Sequence, residues 1–199
     1  NVTKYDTVCC NYCGYAALTK DFMNTTQVQR KLLREKIQAN YKSHEEVVCD
    51  SYSTETAISR LKMALLCTVT KAGKESEIGN ICLKIDWLYQ DLADELDENS
   101  SDYENKKENY LAEAHNFAMN AYEHLSKARM EESFPIAGMN ETTLDYLLSY
   151  LGYVKGEYQT AMQYLSGVVS TRGISPRLKD KCLELKELLN QKLHASADQ

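Results

Sequence analysis

LDYLLSYLGYVKGEYQTAMQYLSGVV, residues 144–169, is the stretch from which the fold of this chain can be read. Leu144, Leu147, Leu148 and Leu151 recur at helical spacing, so its first half predicts an amphipathic helix. Lys155-Gly156-Glu157-Tyr158 reads as a tight turn, and Ala161, Leu165 and Val168 predict a second helix. Gly156 suits the turn, and Ala161 is small enough to let two helices cross closely. Ser149 supplies a small residue on the opposing helix. Leu148 and Leu165 are expected to face each other's helix. Tyr146, Tyr150 and Tyr153 add a second stripe beside the leucines. A helix apolar on two sides is either sandwiched in a core or lines a groove. The three tyrosines are therefore the candidate partner-binding residues, with core packing as the competing reading.

A helical hairpin with Gly at the turn and Ala at the crossing is the unit of a tetratricopeptide-like array. The late proline of that repeat is missing here: Gly173 stands in its place and Pro176 is displaced. Working outward, the same periodicity predicts helices over 54–70, 77–96, 102–129, 141–154, 157–170 and 176–193, and a weaker one over 21–41. Ala72-Gly73 should end one of them. Ser175 before Pro176 places a capping hydroxyl ahead of a residue suited to the first turn. Only about the first 15 residues look non-helical, with strand preference at Tyr5, Thr7 and Val8. The fold expected is all-α, a tetratricopeptide-like helical repeat of about seven helices. It divides as a partial zinc-knuckle segment over 1–20 and a helical domain over 21–199.

Composition agrees. The chain has 199 residues, 8 Gly, 2 Pro and a formal charge of −6, with 43% hydrophobic and 26% charged residues. That is globular composition, long enough to bury a core without a disulfide framework. No apolar run approaches a bilayer span, and no signal peptide opens the chain, so a cytoplasmic protein without a membrane role is expected. The acidity argues against a protein that coats nucleic acid. The stretch from Asp91 to Glu104 holds seven acids and no base, yet lacks the spacing of a calcium loop and reads as a solvated helix end and loop.

Seven cysteines cannot form a closed disulfide set. Cys67, Cys82 and Cys182 sit among apolar residues at helical spacing and read as core. Cys10-Asn11-Tyr12-Cys13-Gly14 carries more chemistry. Two thiolates at this spacing can grip one Zn²⁺, and a glycine after the second relaxes the turn. A thioredoxin-type redox motif is the rival, but its βαβ context is missing. Closed zinc needs four ligands. Cys9, His44 and Cys49 are candidates within the chain. The first residue is Asn1 rather than Met, so a fragment is expected, with further ligands upstream. On that reading the present chain is metal-free at Cys10 and Cys13, and a longer chain binds one Zn²⁺.

No nucleophile elbow, P-loop, dinucleotide fingerprint or H-E-x-x-H motif is present. His115 and His124 lie nine apart on one predicted helix, on different faces. Glu113 beside His115 is unremarkable. No enzymatic activity is expected.

Asn1, Tyr5, Asp6, Cys10, Cys13, Gly14, Tyr15 and Ala16 resemble the opening of a bacterial family catalogued as domain of unknown function 2225. Val2 and Asn11 stand where that family has prolines. The segment 83–89 (LKIDWLY) and the stretch 144–169 are also similar to it. The resemblance implies an upstream Cys-x-x-Cys completing a zinc-ribbon-like site, followed by tetratricopeptide-like helices. It implies no reaction. The function expected is binding of a protein or peptide by a helical-repeat module with an incomplete structural zinc site. The alternative is a zinc-dependent, nucleic-acid-associated regulatory protein, which the cluster Arg30, Lys31, Arg34 and Lys36 favours.

Overall fold

The computed structural model describes residues 2–45 and 51–197. It opens on two short antiparallel strands, β1 (Thr7–Cys9) and β2 (Ala16–Leu18), paired Thr7 with Leu18 and Cys9 with Ala16. Seven α-helices follow among the described residues: α1 (Gln27–Lys36), α2 (Thr54–Thr70), α3 (Glu75–Asp94), α4 (Tyr103–Glu131), α5 (Glu141–Lys155), α6 (Tyr158–Ser170) and α7 (Pro176–Ala197). No described helix is long and apolar enough to cross a membrane.

The all-helical expectation holds, with two corrections near the N-terminus. The helix expected over 21–41 is only α1. Thr26 starts it late, in a capping box: its hydroxyl accepts from Gln29 N, and the Gln29 side chain accepts from Thr26 N. Beyond Ile37 the backbone tightens into a 3₁₀ turn over Gln38–Asn40, and Asn40 Nδ2 donates to Lys36 O at 3.1 Å. Strand was expected only within about the first 15 residues. β2 lies just beyond, because buried Ala16, Ala17 and Leu18 pair with β1.

Elsewhere the caps explain the boundaries. Ser53 and Asn140 accept from Thr56 N and Thr143 N to start α2 and α5. Ser175 Oγ accepts from Leu178 N at 3.2 Å, as its place before Pro176 implies. α2 ends near the expected Ala72-Gly73, but Ala72 takes the left-handed conformation at φ 51°. Gly156 does so after α5, at φ 88°, where a glycine pays no side-chain penalty.

The chain forms two compact units, residues 1–121 and 122–199, and the division falls within α4. In the first unit the strands lie on α2. Ile58, Leu61 and Ala64 of α2 pack with Ile81, Ile85, Leu88 and Leu92 of α3 and with Ala114 of α4. Leu33 and Ile37 bring α1 and its end into the same core. In the second unit, Ser149 Oγ donates to Ala161 O at 2.8 Å where α5 crosses α6. A methyl on Gly152 would lie 3.2 Å from Ala161 Cβ, so the two helices meet backbone to backbone. Leu148 and Leu165 are both buried. Arg129 of α4 reaches Asp145 at 2.8 Å and Glu141 at 2.5 Å, tying the start of α5 to this unit.

Candidate functional site

The cysteine turn joins β1 to β2. Cys10 N donates to Tyr15 O and Gly14 N donates to Cys10 O, each at 2.8 Å. This closure turns the N–H groups of Cys13 and Tyr12 onto the Cys10 sulfur, and they hold its thiol below the usual range. Burial raises the Cys13 thiol, although the N–H of Tyr15 points at it. The backbone N–H groups favour the thiolate at Cys10, the form that binds a metal, whereas at Cys13 burial outweighs the N–H of Tyr15 and favours the neutral thiol.

The turn is held from two sides. Beneath it, Cys67 of α2 is fully buried. Its sulfur accepts from Ala16 N at 3.4 Å and donates to Gly14 O at 3.6 Å. Above it, the Tyr41 ring lies against Gly14: a Cβ there would sit 2.4 Å from Tyr41 Cδ2 and 2.6 Å from Cγ. Gly14 also has φ +73°, so glycine is required twice over. Loss of solvent, and then the sulfurs of Cys9, Cys10 and Cys13, push the Tyr41 hydroxyl above its usual range.

Of the candidate ligands, Cys9 turns toward α2, its sulfur 4.0 Å from Arg60 O and packed on the core. His44 comes to the turn through its backbone, donating from N to Asn11 O at 3.3 Å. Its Nδ1 lies 3.1 Å from the Tyr41 hydroxyl. Cys49 lies outside the described residues. Among the described residues no three His, Cys, Asp or Glu side chains are grouped to hold a metal. Cys10 and Cys13, both free and partly buried, are the two thiols that this turn presents.

Cys67, Cys82 and Cys182 are buried, and burial alone pushes the Cys82 thiol up to about 12. His115 lies exposed on α4, and Glu113 pairs with Lys62 at 3.5 Å. The acidic stretch 91–104 forms the end of α3, a loop and the start of α4.

The tyrosine stripe divides. Tyr146 and Tyr153 pack against a cluster of Ala161, Leu165 and Val168 from α6 with Cys182, Leu185 and Leu189 from α7. Tyr150, between them, is 45% exposed. Two residues that no motif singled out matter at the cysteine turn. Tyr41 is far in sequence and carries no local signal. Tyr12 is 86% exposed, and its place between two inward-turned cysteines was the available clue.

The molecule is thus an all-helical protein that carries a cysteine turn on a two-stranded ribbon. The bacterial family described as "Uncharacterized protein conserved in bacteria (DUF2225)" matches residues 1–189, and the chain belongs to that family. No curated protein and no solved structure matches the chain.

Proposed function

We propose that this chain is a non-catalytic binding module of the bacterial cytoplasm that receives a peptide segment of a partner protein along α5. The α5–α6 hairpin supports the reading. Its glycine turn, its Ser149–Ala161 contact and its close crossing at Gly152 support reading it as a tetratricopeptide-like unit, and the inner helices of such arrays hold peptides. The carrying observation is Tyr150, exposed between two partly buried tyrosines that pack against the core cluster. An aromatic ring fixed on a helix loses few rotors on binding and offers both an apolar face and a hydroxyl. Cys10 and Cys13 would hold one half of a structural zinc site, which would stiffen the N-terminal ribbon rather than act on a substrate.

The test is affinity capture from a bacterial lysate, with wild-type protein and Tyr150→Ala compared by quantitative mass spectrometry. The expected outcome is a protein partner that the variant loses while its melting temperature stays within about 1–2 °C, as for an exposed substitution. A partner retained equally by the variant would remove α5 as the site. A catch released by nuclease would favour the nucleic-acid-associated reading.

A further inference from the structure

The six described cysteines are all free, but they are not equivalent. Cys67, Cys82 and Cys182 are buried, and Cys9 turns to α2 with its sulfur 4.0 Å from Arg60 O. Among the described residues, Cys10 and Cys13 alone combine partial exposure with a second thiol in reach. The backbone brings them together. Gly14 N donates to Cys10 O at 2.8 Å, the bond that closes one turn of helix, so residues three apart come to one side. The two thiols share a hydrogen bond. At that spacing Cβ atoms stand about 5–6 Å apart and a disulfide needs about 3.5–4.5 Å, so closing the bond asks for a small shift and no rebuilding of the turn.

The surroundings hold this arrangement and leave the pair to itself. Cys67 grips Gly14 O from beneath, and the Tyr41 ring covers Gly14 from above. The Cys67 thiol is fully engaged there, accepting from Ala16 N and donating to Gly14 O. Two thiols kept side by side meet at an effective concentration far above that of any thiol in solution.

We propose that Cys10 and Cys13 form a reversible thiol–disulfide site that exchanges with a low-molecular-weight disulfide of the glutathione type. The thiolate of one cysteine attacks a sulfur of the small disulfide. That S–S bond breaks, and one small thiol leaves carrying the proton the cysteine gave up. The second cysteine then attacks the protein sulfur of the mixed disulfide, forms the Cys10–Cys13 bond and expels the second small thiol with its proton. Two electrons pass from the protein to the small disulfide. The turn runs on into β2 instead of opening a helix, as a thioredoxin-type motif does, so the bond is a state of this protein and not a step in oxidising others. Exposed disulfides of this kind are the labile, regulatory ones. The site lies in the first unit and does not depend on peptide docking along α5. A metal thiolate would use the same two sulfurs, so the two states exclude each other.

The experiment equilibrates reduced protein with excess oxidised glutathione in the presence of a metal chelator, quenches with N-ethylmaleimide and reads intact mass and peptide maps. The expected product has lost two hydrogens, carries no glutathione and maps to a Cys10–Cys13 bond, and excess reduced glutathione returns it to the dithiol. Cys13→Ser leaves Cys10 without a resolving partner and should raise the glutathione mixed disulfide at Cys10 about tenfold or more. Cys9→Ser should change neither the bond nor its reversal. Melting curves show whether the variants fold, and the wild-type map decides the pairing without them. Glutathione retained on the wild type, or no reaction at all, overturns the proposal. So does a bond from either cysteine to Cys9, Cys67 or a second molecule, or a bond that excess reduced glutathione leaves intact.

Discussion

Two hairpins in this chain turn on a left-handed glycine, and they are built in opposite ways. In the β1–β2 hairpin, Gly14 is pressed by the Tyr41 ring and its carbonyl is held by Cys67. In the α5–α6 hairpin, Gly156 has open space beside it, with the nearest atom, the Tyr158 hydroxyl, at 4.0 Å. The first hairpin is three residues wide on each side and takes its order from contacts at its turn. The second is two long helices whose leucines bury each other, and its turn only has to reverse the chain. One is specified at the turn, the other along its length.

That contrast can be broken most directly in the helical hairpin. Leu148→Ala or Leu165→Ala should cost about 2–5 kcal/mol by urea unfolding, the range for a buried leucine that leaves a cavity. A loss below about 0.5 kcal/mol, within the range of neutral surface changes, would show that the hairpin is not held by its apolar length. The glycines come next. Gly14→Ala should cost about 2–4 kcal/mol, adding the strain of positive φ to an overpacked contact with the near edge of the Tyr41 ring. Gly156→Ala should cost only about 1–2 kcal/mol, the strain alone. Equal losses at the two positions would erase the distinction.

Acidity sharpens the comparison between the units that contain these hairpins. Asp86 of α3, in the first unit, is buried, and that burial pushes its carboxyl up to about 6, against the pull of the Gln90 amide at 2.7 Å and of the charge on His115. A carboxyl raised in the folded state holds its proton there when the unfolded chain has lost it. Its contribution therefore turns unfavourable as pH climbs from about 4 to about 6, and stays so above. Asp86→Asn should accordingly stabilise the protein by roughly 1–3 kcal/mol at pH 7.5 and by almost nothing at pH 4. Unfolding free energies of the two proteins at both values decide it, and a gain independent of pH would mean that the carboxylate charge is not the cause.

The same contrast explains what could be read from residues alone. Helices held along their length leave a periodic trace, so α2 through α7 were legible to within a few residues. The start and end of α1 were not, because a capping box at Thr26 and a 3₁₀ turn after Ile37 cut a stripe that looked longer. β2 was hidden because Ala16-Ala17-Leu18 has no strand preference and is a strand only through its pairing with β1. At the cysteine turn the spacing of Cys10 and Cys13 was plain. Its supports were not, since Cys67 and Tyr41 arrive from 54 and 28 residues beyond Cys13. The tyrosine stripe on α5 was visible by its spacing, but which rings lie inward depends on α7, and no local pattern carries that.

Buried Cys67 and Cys182 lie one in each unit, and both must leave a closed site before a soluble alkylating reagent can reach them. Cys67 can react only when the β1–β2 ribbon lifts from α2, and Cys182 only when α7 parts from α6. Half-exposed Cys10 and Cys13 need no such opening and mark the start of the reaction. Timed labelling followed by peptide mapping thus becomes a clock with two hands, which tells from native protein whether the units open together or one before the other.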